Sequence, residues 1–237
     1  EMLRSLVGSE MCIRDRPMPL LENKIIAIEN VWLSYTDKNI LEDINLDIYQ
    51  GDFLLITGPN GGGKTSLLRT ILRLQSPTKG RISFFRQGEP VSSLDIGYLP
   101  QKNSIDSRFP ITVEEVVASG LMGNTQKGNT KFDSKKEIDE MLDLMGITAL
   151  RNKPIGVLSG GQLQRSLFGR ALISKPEMLI LDEPASYIDR QFGNRMFEIL
   201  RDLSSNGTTI MMVSHEIEPF ITLSNRNLYI NHILGDL

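Results

Sequence analysis

The sequence predicts an α/β fold: a mixed, mainly parallel sheet, with an antiparallel β lobe on the N-terminal side and a helical lobe set into the chain. Three observations carry that expectation. The runs "DFLLITG", "EMLILDEP" and "TTIMMVSH" are continuous, apolar and strand-sized, with helical patterns between them, as strands buried on both faces of a parallel sheet require. Ahead of the first, "KIIAIENVWLSY" and "NILEDINLDIYQGD" alternate apolar and polar residues, the period of half-buried antiparallel strands, here from about Ile25 to Ile48. Finally, roughly 75 residues of mostly helical pattern separate the strand "IGYLPQ" from the strand at Met178, too many for a single crossover connection.

Length and composition agree with one sizeable domain. The chain has 237 residues, 40% hydrophobic and 23% charged, with a net charge of -3, so no overall basic field favours a nucleic-acid partner. No run approaches the ~18 apolar residues of a membrane-spanning helix. The opening "EMLRSLVGSEMCIRDR", residues 1–16, lacks any periodicity leading into the domain and is read as a non-native leader. It holds Cys12, the single cysteine, which leaves the remainder without disulfide chemistry and suited to a reducing cytosol. The domain proper is expected over 22–237, with the helical lobe over about 102–175.

Taken in order, "KTSLLRTILRL" places Leu67, Leu68, Ile71, Leu72 and Leu74 on one helical face, away from Arg69 and Arg73. In the helical lobe, "SKKEIDEMLDLMG" sets Ile138, Met141, Leu142 and Met145 at helical spacing, with Gly146 closing the helix.

The chemistry concentrates at strand ends. "GPNGGGKTS" matches G-x-x-x-x-G-K-[ST] between an apolar strand and an amphipathic helix, the context that this phosphate-binding motif needs and the mark of a P-loop NTPase core. Gly58, Pro59, Asn60, Gly61, Gly62 and Gly63 form the loop, whose backbone N–H groups can cradle phosphates. Lys64 reaches the outer phosphates, and Thr65, followed by Ser66, can ligate Mg²⁺. "MLILDEP" brings Asp182 and Glu183 to a neighbouring strand end, Asp182 to hold Mg²⁺ through water and Glu183 to act as general base on the attacking water. "IMMVSH" delivers His215 in the same way, within reach of a γ-phosphate. In "VLSGGQLQRSLFGRAL", Ser159 and Gln162 form a capping box, but Gly160 and Gly161 are poor helix residues, each losing about 1 kcal/mol against alanine. Two in a first turn suggest that an anion approaches the bare helix N-terminus, and with one phosphate loop already present, it is best supplied by the nucleotide of another chain.

In this order, "GPNGGGKT", "LSGGQLQR", "LILDEP" and "VSH" resemble the ATP-binding cassette family over essentially Ile25 to His215. The resemblance implies ATP hydrolysis with Mg²⁺ and a head-to-tail dimer, taken as two copies of this chain, with each ATP held between one phosphate loop and the other subunit's "LSGGQ". It implies stacking of Tyr35 on adenine, a Mg²⁺- and water-sensing role for Gln101, and a place for Asp189 across the dimer interface. "ASYID" departs from the commoner serine-alanine-leucine-aspartate pattern, keeping only the terminal aspartate.

A single cassette without a coiled-coil insertion favours the energising subunit of a membrane importer over a soluble, non-transport ATPase. "GPNGGGKTSLL" and "DSRFPITVEEVVASG" resemble importers of manganese or zinc, with iron-chelate or cobalamin importers as the alternative. Integral-membrane permease subunits are then direct partners, a periplasmic or lipid-anchored binding protein is an indirect one, and the chain sits in the cytoplasm, peripheral on the inner face of the membrane. The segment after Gln101, with Phe109, Ile111, Val113 and Val116, is the expected permease dock.

Overall fold

The computed structural model describes residues 23–35, 38–101, 110–122, 131–215, 218 and 220–236; residues 1–16, expected to be a leader, and Phe109, expected at the permease dock, lie outside them. The chain opens with two long antiparallel strands, β1 (Lys24–Tyr35) and β2 (Lys38–Tyr49), then β3 (Phe53–Thr57), the phosphate-loop turn and α1 (Lys64–Ile71). Strands β4 (Lys79–Arg86), β5 (Glu89–Val91) and β6 (Ile96–Leu99) follow, then helices α2 (Val113–Ser119), α3 (Lys131–Leu144) and α4 (Gly160–Leu172) within the span expected to be helical. The remainder is β7 (Met178–Asp182), α5 (Arg190–Ser205), β8 (Thr209–Val213), β9 (Arg226–Asn231) and β10 (Ile233–Asp236).

These strands form two sheets, β2-β1-β4-β5 and β10-β9-β3-β8-β7-β6. The first is antiparallel throughout. In the second, every pair from β9 to β6 is parallel and only β10 runs antiparallel, against β9. Strands β3, β7 and β8 are buried at every residue, which is why their sequences are continuous rather than alternating. The period of two survives as a division between cores. Phe53, Leu55, Leu179, Leu181, Ile210 and Met212 face a core built with α2–α5. Leu54, Ile56, Met178, Ile180, Met211 and Val213 face one built with α1 and the four-stranded sheet.

Two expectations need correction. Leu74 does not join the buried face of α1, which ends at Ile71; it is 67% exposed, while Leu67, Leu68 and Ile71 are fully buried. Val113 and Val116 are not available to a permease: both are buried in the helical core, with Ile111 partly buried against it. The short helix α2 is consumed by packing on α3 and α4. In α3, Ile138, Leu142 and, just beyond its end, Met145 are buried as expected.

The helix α4 is held at backbone distance on two sides. A Cβ on Gly97 of β6 would lie 2.1 Å from the Ala171 carbonyl, and one on Gly120, the residue capping α2, 2.1 Å from the Arg170 carbonyl. Gly120→Ala should therefore destabilise the chain by about 1–3 kcal/mol, the usual cost of forcing a methyl into packed structure. Gly193→Ala in α5, where a Cβ meets nothing within 4 Å, should stabilise it by about 0.5–1 kcal/mol. Urea unfolding midpoints of the two variants, moving in opposite directions, check the assignment.

Candidate functional site

The order β3-β8-β7-β6 sets four parallel strand ends side by side, about 4.8 Å apart. The phosphate loop follows β3, His215 follows β8, Asp182 and Glu183 end and follow β7, and Gln101 follows β6. Residues separated by well over a hundred positions thus share one edge, where an open α/β sheet binds its ligand.

A cavity of about 250 Å³ opens there, lined by Tyr35, Ile40, Asn60, Gly61, Gly63, Lys64, Thr65, Ser66, Gln101 and Glu183. Lys64 is buried, and its ammonium donates to the carbonyls of Gly58 (2.8 Å) and Pro59 (2.9 Å). Burial holds its pKa below the ordinary lysine value, against the raising influence of the Glu183 and Asp182 carboxylates. The loop glycines have a reason beyond phosphate. A Cβ on Gly58 would lie 2.0 Å from the Ile230 carbonyl and one on Gly62 2.9 Å from the same atom, so β9 and the loop touch backbone to backbone.

Behind the loop, the Thr65 hydroxyl donates to Asp182 Oδ2 at 2.9 Å. Asp182 is 1% exposed, and its Oδ1 is buried with no partner. Burial raises its pKa, with Thr65's hydrogen bond and the cations Lys64 and Arg69 working the other way and Glu183 adding to it. A buried carboxylate oxygen without a partner, next to the Thr65 hydroxyl, with Gln101 lining the same cavity as Thr65, is a donor set that fits a hard divalent cation such as Mg²⁺. Glu183 Oε1 accepts from His215 Nε2 at 2.9 Å. The Glu183 backbone is in the left-handed region, φ 52°, a costly conformation for a side chain with a Cβ and one that clusters at working sites.

The second constellation lies apart from the first. Ser159 caps α4 by accepting from the Gln162 N–H, while Gln162 Oε1 accepts from the Ser159 N–H at 3.1 Å. A cavity of about 490 Å³ is lined by Ser159, Gly160, Gly161 and Gln162 together with Arg165, Tyr187 and Asp189. Here the expectation for the two glycines is corrected in part. A Cβ on Gly161 would lie 2.7 Å from the Tyr187 carbonyl, so the backbone that approaches it is this chain's own; at Gly160 the nearest atom is an ordinary 3.5 Å away. Asp189 caps α5 by accepting from the Phe192 N–H at 2.9 Å, and it pairs with Arg165. The Phe192 N–H is the main reason its pKa lies below the usual aspartate value.

Of the residues that sequence reasoning brought together, Tyr35, Asn60, Gly61, Gly63, Lys64, Thr65, Ser66, Gln101 and Glu183 line the first cavity, and Asp182 and His215 are bonded to Thr65 and Glu183 there. The same reasoning missed Ile40, Arg165 and Tyr187. Tyr187 carried a signal, the departure "ASYID", but nothing local indicated that an aromatic 77% exposed, at φ 68°, would lie over Gly160.

The family described as ABC transporter matches residues 41–186. A protein named "Probable metal transport system ATP-binding protein" from Chlamydia pneumoniae is 39% identical over 218 residues, covering 90% of this chain and 88% of its own. A zinc uptake system ATP-binding protein from Listeria innocua is 37% identical, covering 90% of this chain and 82% of its own. Among solved structures, a dimeric ATP-binding cassette in a post-hydrolysis state with ADP and phosphate is similar at a TM-score of 0.78 and 25% identity, covering 90% of this chain and 99% of that one.

Asp182 offers a test of the electrostatics. Its pKa is raised in the folded chain, so ionised Asp182 weakens the nucleotide-free fold at every pH above the folded value. The penalty fades as pH falls and is gone below the unfolded aspartate value of about 3.9. Asp182→Asn keeps an acceptor for Thr65 and should stabilise the nucleotide-free chain at neutral pH by on the order of 1–2 kcal/mol, roughly 2–8 °C in Tm. Thermal melts from pH 7 to pH 4 should show that gain shrinking.

Proposed function

Because the chain belongs to the ABC transporter family, we propose that it is the ATP-hydrolysing subunit of a membrane importer for divalent metal ions, zinc or manganese. ATP hydrolysis is the activity of its cassette, and the relatives named for metal transport and zinc uptake support the cargo. The observation that carries the reading is the split between the two half-sites: the phosphate-loop cavity and the "SGGQ" cavity have no residue in common. One chain supplies both halves of a nucleotide site but not to the same nucleotide, so a second copy placed head to tail completes two sites.

In such a site Lys64 exchanges the carbonyls of Gly58 and Pro59 for the outer phosphates of ATP, and the amides of the loop with the N-terminus of α1 receive the rest. Tyr35, at the mouth of the cavity, stacks on the base. Glu183 takes the proton of the attacking water, and His215, donating to its carboxylate, fixes the direction of that base beside the γ-phosphate. Thr65, Asp182 and Gln101 would hold Mg²⁺, which supplies charge neutralisation on the phosphates. From the partner, Ser159, Gly160, Gly161 and Gln162 close over the same γ-phosphate, with Asp189 at the seam.

Among the described residues no helix is long and apolar enough to cross a membrane, and in this reading permease subunits provide the path. The chain then works at the cytoplasmic face, and a binding protein on the far side delivers the ion.

Glu183→Gln should bind ATP normally, lower turnover by roughly two orders of magnitude or more, and trap an ATP-bound dimer visible by size-exclusion chromatography. In cells that carry the neighbouring permease genes, the same change should abolish radioactive zinc or manganese uptake. Uptake of an iron chelate in their place would overturn the cargo.

A further inference from the structure

His232 occupies the turn between β9 and β10, where Asn231 pairs with Ile233. Its φ is 65°, a conformation that glycine adopts freely and a residue with a Cβ adopts at a cost. The residue there is nonetheless a histidine, and it makes three bonds. Its N–H donates to the Gly62 carbonyl at 2.9 Å, and its carbonyl accepts from the Glu42 N–H at 2.8 Å. Its ring Nδ1 lies 3.2 Å from the Ile40 carbonyl; since a carbonyl only accepts, Nδ1 carries the proton in this bond.

The three partners belong to different parts of the nucleotide cavity. Gly62 lies in the phosphate loop, which follows a strand of the six-stranded sheet. Ile40 and Glu42 lie in β2, the edge of the four-stranded sheet, and Ile40 lines the cavity with Tyr35. The Ile40 carbonyl also lies 2.8 Å from where a Cβ on Gly63 would be. Any residue but proline at 232 could make the two backbone bonds. Only a side chain with a donor at the δ position makes the third, which is a reason for a left-handed position to hold histidine.

We propose that His232 is a positioning residue for ATP binding: its imidazole sets the spacing between the base-side wall, Tyr35 and Ile40, and the phosphate loop. This rests on reading that cavity as the ATP half-site. The two walls come from separate sheets, so without the ring bond part of the binding free energy would be spent on fixing their separation, and affinity would fall. Glu183 and His215 follow other strands, β7 and β8, and the chemical step is untouched.

The test uses the full chain and a non-hydrolysable ATP analogue, with His232→Gly and His232→Asn beside the wild type. Glycine suits the left-handed backbone and keeps the backbone bonds, so the nucleotide-free melting temperature should be retained. Its affinity should fall about threefold to tenfold, the scale of one neutral hydrogen bond, with KM rising in step and kcat within about twofold. Asparagine tolerates the same φ and places an amide nitrogen where Nδ1 stands, so it should restore both affinity and KM. Wild-type affinity in His232→Gly overturns the proposal. So does an equal loss in both variants with a fall in kcat, the mark of a merely structural residue. A wild-type chain that binds no ATP analogue would instead remove the reading of the cavity itself.

Discussion

Burial of β3, β7 and β8 on both faces is the constraint from which the rest of the molecule follows. A strand with no solvent face can display polar chemistry only where it ends, and parallel neighbours all end on the same edge. The phosphate loop, Asp182, Glu183 and His215 are therefore collected by the packing of apolar residues far more than by any contact among themselves. The two cores on either side of the sheet hold that edge rigid, and the β lobe and the helices bring their own residues to its rim.

That edge carries an electrostatic tension. Lys64 is buried and its pKa is pushed down, while Asp182 is buried and its pKa is pushed up. Each charged form is disfavoured by desolvation, which the loop carbonyls, the Thr65 hydroxyl and the opposite charges nearby offset only in part. In the proposed function, a triphosphate would add negative charge beside Lys64 and its cation positive charge beside Asp182. Such stored imbalance costs stability in the free chain and becomes binding free energy when the ligand arrives.

The "SGGQ" half-site is built differently. The helix α4 is placed by close backbone contact with Gly97 and Gly120, and its first turn is shaped by the Tyr187 carbonyl at Gly161. Tyr187 belongs to the turn that begins at Glu183, and Asp189 at the end of that turn pairs with Arg165 of α4. The segment after β7 therefore borders both cavities, Glu183 at the first and Tyr187 and Asp189 at the second.

Much of this was legible in the residues. The continuous apolar runs specified the buried strands, the G-x-x-x-x-G-K-[ST] spacing specified the phosphate loop, and S-x-x-Q specified the cap at Ser159, because each depends on local geometry that a few consecutive residues impose. The strands β4, β5, β9 and β10 were not read: β5 and β10 are short edge strands, β4 and β9 are the strands they pair with, and all four gain their order from the sheet that they join. Leu74, Val113 and Val116 were misplaced for a related reason: periodicity says which residues share a face, and only the neighbours decide what covers it. The glycines make the distinction sharpest. Sequence alone determined that the loop and the α4 entrance need bare backbone; tertiary structure decided that Ile230 and Tyr187, distant along the chain, are the groups that press against it, because contact between remote segments is set by how the sheets and helices pack.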